Sequence, residues 1–337
     1  MLRDGYNKCL KPSLKNLEEK LVDMCEEYKE LPMPGRTHGQ YAIPTTVGKE
    51  LAVFANRIAK QLDDIKKIEI YGKLNGAIGN FSSFYAAYPE IDWENFSRKF
   101  VESFGLKYNA ITTQIESHDS WVDLFNKIKH INSILIGTDQ DMWGYISDEY
   151  FIQKPEKGDE GVAGSSTMPQ KINPIKFENS EGNLGLSNAM LNYFSEKFPI
   201  SRFQRDLSDS TVARSIGTAL GYSLISYKNT LRGLKKCEPY REELHNELEN
   251  HWEMLAEPIQ QILRRDKVSG AYDILKSKTK GKKWSKNNVV NFVEEAKLTG
   301  KTRDDILKLS PHKYIGDAVN ITNDAISDIK EILYRIS

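Results

Sequence analysis

Apolar residues recur along most of this chain at intervals of three and four, the period that lays one stripe down the side of an α-helix. From Ser13 the stripe runs through Leu14, Leu17, Leu21, Met24 and Tyr28; from Thr46 it runs through Val47, Leu51, Phe54, Ile58, Leu62 and Ile65. Trp121, Phe125, Ile128, Leu135, Met142 and Ile146 outline a third helix, longer than an ordinary globular one. Two more are predicted over Asn183 to about Lys197 and Asp209 to about Lys236. Strand-like alternation is scarce. Long striped helices with few breaks predict an all-α protein whose helices pack side by side in an elongated bundle. Pro239, in "KKCEPY", marks a boundary. Residues 1–237 are expected to form the bundle domain, and 238–337 a smaller C-terminal helical domain.

Composition narrows the class of protein. Lysine plus arginine number 47, and so do aspartate plus glutamate, so no bulk field favours nucleic acid or an anionic membrane. Three widely spaced cysteines (Cys9, Cys25, Cys237) read as reduced thiols, and no Cys/His spacing suggests a metal site. The N-terminal "MLRDGYNKCLKPSL" lacks an apolar signal core, and no run approaches the roughly 18 apolar residues of a membrane span. A cytoplasmic globular protein is expected. The basic stretch "KSKTKGKKWSK", 276–286, reads as a solvated lysine-rich loop rather than a nucleic-acid patch, because only Trp284 interleaves it.

Three clusters carry the candidate chemistry. The first is "GSSTMPQKINP", 164–174, at the end of a segment with glycines at 158, 161 and 164. Little in it can anchor a core, which suits a lid. Asn173 and Pro174 read as an N-cap and first-turn pair, so Lys171 stands just before a helix N-terminus, where N–H groups and the dipole favour anions. Serine, lysine and helix N-terminus together suit a carboxylate. Removing a proton beside that carboxylate creates a dianionic, enolate-like species that such donors stabilise. The second cluster is "PGRTHGQ", 34–40, which sets His38 on a tight polar loop, where imidazole can donate a proton near neutral pH. In the third, "SRFQRDLSDSTVAR", 201–214, Asp209 reads as an N-cap and places Ser210 and Arg214 four apart on one face. With Arg205 just upstream, these residues form a phosphate cradle.

Together these segments resemble the fumarase/aspartase superfamily, and within it the bacterial-type adenylosuccinate lyase family. "GSSTMPQKINP" looks like the superfamily's signature loop, while "IKFENSEGN", "RTHGQ", "SRFQRDLSDSTVAR", "GAIGNF" (76–81) and "TTQIE" (112–116) match the family. The resemblance runs the length of the chain and implies β-elimination of fumarate from adenylosuccinate, giving AMP, and from the succinyl imidazole-carboxamide ribotide of purine synthesis. It implies Ser165 as the base, His38 as the acid that protonates the departing amine, and Glu178 as the carboxylate paired with it. Lys171 and Asn173 would hold succinyl carboxylates, and Thr37 and Gln114 would touch substrate. Arg205, Ser210 and Arg214, with Asn179 nearby, would hold the phosphate. No metal or organic cofactor is implied. The family assembles as homotetramers whose active sites combine different subunits. Gln170 is a feature more like argininosuccinate lyases, and the arginine-rich segment opposes that alternative. A non-catalytic oligomer on the same scaffold is a third reading. Family members extend further at the N-terminus, so the chain is expected to lack a small domain and to have weak or no activity.

Overall fold

The computed structural model describes residues 1–154, 168, 171–268, 270–279 and 281–336, the side chains of 271 and 272 excepted. Six long helices, α1 (Lys11–Tyr28), α2 (Val47–Lys66), α3 (Asp119–Ser147), α4 (Ile175–Lys197), α5 (Ile216–Lys236) and α6 (Ala318–Ile336), build a bundle. The predicted stripes are its interior. Leu14, Leu17, Leu21, Ile58, Phe125, Leu135, Leu184, Leu191 and Leu234 are wholly buried in one continuous core. Each such side chain contributes about 1.5–3 kcal/mol of transfer free energy.

Local signals set where the helices begin. The Thr46 hydroxyl accepts a hydrogen bond from the Lys49 amide at 3.2 Å and caps α2. Gly48 follows because α2 starts against the end of α1. A Cβ there would lie 2.5 Å from Lys29 Cα and 2.6 Å from the Cys25 carbonyl oxygen. α3 and α4 run antiparallel, as the pairs Trp121 with Phe198, Phe125 with Phe194, Asn132 with Asn188 and Trp143 with Glu178 record along their length. α4 and α5 are likewise antiparallel, joined by Ser187 to Ser223 at 2.7 Å and by Ser180 to Thr230 at 2.8 Å. At the centre, Asn132 donates to Ser223 (2.9 Å) and accepts from the Tyr227 hydroxyl (2.6 Å), which fixes the register of three helices.

Some elements depart from expectation. Among the described residues strands form three two-stranded pairings, the largest a hairpin of β1 (Pro32–Thr37) and β2 (Gln40–Thr46). Its alternation is hidden in the sequence because Pro32, Pro34 and Pro44 interrupt it, and the ladder slips between Pro34 and Arg36. The helix expected from Asp209 to Lys236 is broken. A short helix, Ser208–Ala213, ends in a tight turn from the Ser215 amide to the Val212 carbonyl (3.0 Å), and α5 begins at Ile216. Asp209 is the second residue of that short helix and not its cap.

The described residues gather into two hydrophobic cores, the first running through the bundle. A second core gathers Trp252, Leu255, Ile259, Leu263, Leu275, Trp284, Val289, Phe292, Val293 and Ile306. Leu244 and α6 belong to the first, since the α6 stripe of Ile326, Ile329, Leu333 and Ile336 is buried there. Trp284 in the basic stretch is a core residue, its indole donating to the Lys278 carbonyl at 3.1 Å. No helix among the described residues is long and apolar enough to cross a membrane.

Candidate active site

His38 and Gly39 form the two-residue turn between β1 and β2, with φ of 55° and 73°. Two successive positive values are those of a type I′ turn, which matches the strand twist and demands glycine or a tolerant polar residue. Arg36 holds the turn in place. Its guanidinium donates to the Gly39 carbonyl (3.3 Å) and to the Tyr150 hydroxyl (3.1 Å), pairs with Asp148 (3.2 Å) and lies 4.3 Å over the Tyr41 ring. Asp148 caps the C-terminal end of α3, so His38 and Thr37 are presented, exposed, at that end of the bundle.

The start of α4 lies at the same end. Its N-cap is Pro174 rather than Asn173, and a proline side chain cannot cap the first-turn N–H groups. An N-terminus left in that condition suits an anion. Lys171 is exposed just before it, its amide bonded to the Met168 carbonyl at 3.1 Å, and Asn173 is half-buried. The Gln153 side chain donates to the Ile172 carbonyl (3.2 Å) and ties this approach to the end of α3. Glu178, in the first turn, accepts from the Trp143 indole at 3.2 Å. Within one chain it therefore pairs with Trp143, and no bond to His38 occurs among the described residues. Asn179 accepts from Asn229 at 2.5 Å. Ser165 and Gln170 lie outside the described residues, as does most of the expected lid.

Gln114, Arg205, Ser210 and Arg214 gather at the opposite end. The Gln114 amide donates to the Gln204 carbonyl (3.2 Å), joining the 110–118 loop to the arginine-rich segment. Arg205 pairs with Asp209 at 3.6 Å, and Ser210 donates back to the Leu207 carbonyl at 3.2 Å. Arg214 is the exposed C-cap of the short helix, with helical φ and ψ of −61° and −23°, four residues on from Ser210, and the break before α5 falls just after it. Two buried nitrogens here, Arg205 Nε and His118 Nδ1, have no hydrogen-bond partner among the described residues. Burial pushes the His118 pKa down, which favours neutral imidazole.

Several residues that shape this end carry weak sequence signals. Lys73 donates to three carbonyls, those of Gly76 (2.9 Å), Thr113 (3.0 Å) and Gln114 (2.8 Å), and so positions Gln114 from behind. Asn75, fully buried, donates to the Thr112 hydroxyl at 2.8 Å. A lysine and an asparagine ahead of "GAIGNF" were the available cue. His118, in the left-handed region at φ 64°, begins α3 beside Trp121 and Phe198.

The two ends are far apart. Trp143, beside Glu178, and Asp119, beside His118, stand roughly 24 residues apart on α3, about 36 Å at 1.5 Å per residue. No side chain spans that distance.

A family model described as "Lyase" matches residues 1–190, and one described as "Adenylosuccinate lyase C-terminal" matches residues 201–315. Adenylosuccinate lyase of Escherichia coli (strain K12) is 44% identical over 324 residues, 96% of this chain and 70% of that protein. The chain belongs to the adenylosuccinate lyase family. The relative from Buchnera aphidicola subsp. Baizongia pistaciae is 47% identical over 289 residues, 86% of this chain and 62% of that one. The fold of the family extends further. A 3-carboxy-cis,cis-muconate lactonizing enzyme from Pseudomonas putida superposes with a TM-score of 0.78 at 17% identity, covering 98% of this chain and 74% of that one.

Proposed function

We propose that this chain eliminates fumarate from adenylosuccinate, giving AMP, and performs the equivalent step on the succinyl imidazole-carboxamide ribotide, in the cytoplasm. The observation that carries the reading is the 44% identity to a named adenylosuccinate lyase across 96% of the chain, which spans all three clusters. Ser165, as alkoxide, takes the proton from the carbon next to the one bearing nitrogen. Electrons from that C–H bond form the double bond of fumarate as the C–N bond breaks, and His38 delivers a proton to the departing amine. Lys171, Asn173 and the uncapped α4 N-terminus stabilise the carboxylate that gains charge, while Glu178 holds the imidazole. Thr37 and Gln114 orient the substrate, and Arg205, Ser210, Arg214 and Asn179 hold its phosphate.

One copy cannot close this site, because the acid, with Asn179, lies at one end of α3, and Arg205, Ser210 and Arg214 lie at the other. A homotetramer in which neighbouring bundles pack antiparallel brings the His38 end of one copy to the Arg205 end of another. The character of α4 supports such packing. Its apolar residues fall on all sides, and Leu186 and Tyr193 are about half exposed in the single chain. Fumarate release from adenylosuccinate, measured alongside AMP on a preparation of known oligomeric state, tests the reading. Release that disappears in Ser165→Ala and His38→Ala supports it. A well-assembled chain that cleaves argininosuccinate instead would overturn it.

A further inference from the structure

Outside these clusters, the helix Arg241–Asn250 carries His245 and Glu249 four residues apart, hence on one face. Leu244 and Leu248 bury the other face, 1% exposed each, which leaves the His–Glu pair outward. His312 arrives from the loop that leads out of the second core toward α6. That loop is pinned by hydrogen bonds from the Lys313 and Tyr314 amides to the Ser310 carbonyl, both 3.0 Å. His312 Nε2 lies 2.9 Å from Glu249 Oε1, and its ring stacks on His245 with centroids 4.5 Å apart. One ligand atom from each of the three residues falls within 4.8 Å of the others. The second carboxylate oxygen of Glu249 accepts from the buried Trp252 indole at 3.3 Å, a contact that orients the carboxylate.

We propose that His245, Glu249 and His312 form a binding site for a divalent transition metal of the zinc type. Two imidazoles and one carboxylate, with solvent free to supply a fourth ligand, are a donor set that Zn²⁺ accepts readily. Zinc–ligand bonds of about 2.0–2.1 Å require tetrahedral ligand atoms about 3.4 Å apart, so the 2.9 Å His312–Glu249 contact opens slightly and the two stacked imidazoles turn their nitrogens toward a common point as the ion enters. The bound ion would clip the helix Arg241–Asn250, anchored in the first core by Leu244, to the segment leaving the second. It would therefore stabilise the junction rather than take part in elimination, since none of the three residues belongs to the candidate active site.

The test is calorimetric titration of the chelator-treated whole chain with Zn²⁺, alongside the visible spectrum of the Co²⁺ form. One equivalent should bind and raise the melting temperature. His245→Ala, His312→Ala and Glu249→Gln should each weaken binding at least about tenfold. His312→Cys, which keeps a metal ligand, should retain binding, and the exposed His130→Ala and Cys9→Ser should leave it unchanged. No saturable binding, or binding that the three substitutions leave intact in variants with unaltered circular dichroism, overturns the proposal.

Discussion

Mixing two impaired variants should restore activity. His38→Ala removes the acid, a loss of about 10²–10⁴ in rate. Arg205→Ala removes a charged phosphate contact worth about 1.5–3 kcal/mol, or roughly ten- to a hundredfold in kcat/KM. In a single copy the two residues are separated by most of the length of α3, about 36 Å at 1.5 Å per residue from Trp143 beside Glu178 to Asp119 beside His118. They therefore serve different sites. In a randomly mixed tetramer, a site is intact when its His38 comes from an Arg205→Ala copy and its Arg205 from a His38→Ala copy, which happens for about a quarter of sites. Co-expression under two affinity tags isolates true hybrids, and fumarate release at substrate well below KM, where both defects are fully felt, reads the result. Given an active unmodified chain, hybrids should recover about a quarter of its kcat/KM. Verified hybrids whose activity stays at the level of the two parents would refute the separation of the ends into different subunits.

Other perturbations follow from the geometry. Asp139 is 1% exposed between α3 and α5 and accepts from Thr230 at 2.8 Å, and burial pushes its carboxyl up from 3.8 to about 8. The folded state thus keeps a proton that the unfolded state releases near pH 4. Stability should fall as pH rises from about 4 to about 8, by on the order of 5 kcal/mol at most, and then level off. Asp139→Asn, followed by urea denaturation across this range, should flatten the slope. Gly79 has φ +83°, and a Cβ there would lie 1.9 Å from the Thr112 carbonyl oxygen. Gly79→Ala should displace the loop carrying Gln114 and raise KM strongly, while the bundle's melting temperature moves little. A Cβ at Gly185, on α4, meets nothing within the chain. Gly185→Leu should leave the protomer folded by circular dichroism yet dissociate the assembly on size-exclusion chromatography.

The sequence by itself determined the bundle and the chemistry's vocabulary. The apolar stripes of α1, α2 and α3 are periodic because each helix buries one face, and burial is a property that single-residue hydrophobicity reports directly. The lysine before a helix start and the histidine on a Pro-Gly-broken loop were legible for a similar reason, since turn and cap residues act through their own backbone. Elements set by distant partners were not legible. The hairpin around His38 depends on Arg36 reaching Asp148 and Tyr150, more than a hundred residues away in sequence. The break before α5, a turn from the Ser215 amide to the Val212 carbonyl, interrupts a stretch whose apolar period continues across it. The return of α6 to the first core is chosen by the face that α2 leaves open. Tertiary structure alone also decided that the candidate catalytic groups stand at two ends of one long helix. Spacing along a chain sets which groups a helix face can carry, whereas their meeting across space depends on how whole helices, and whole copies, pack.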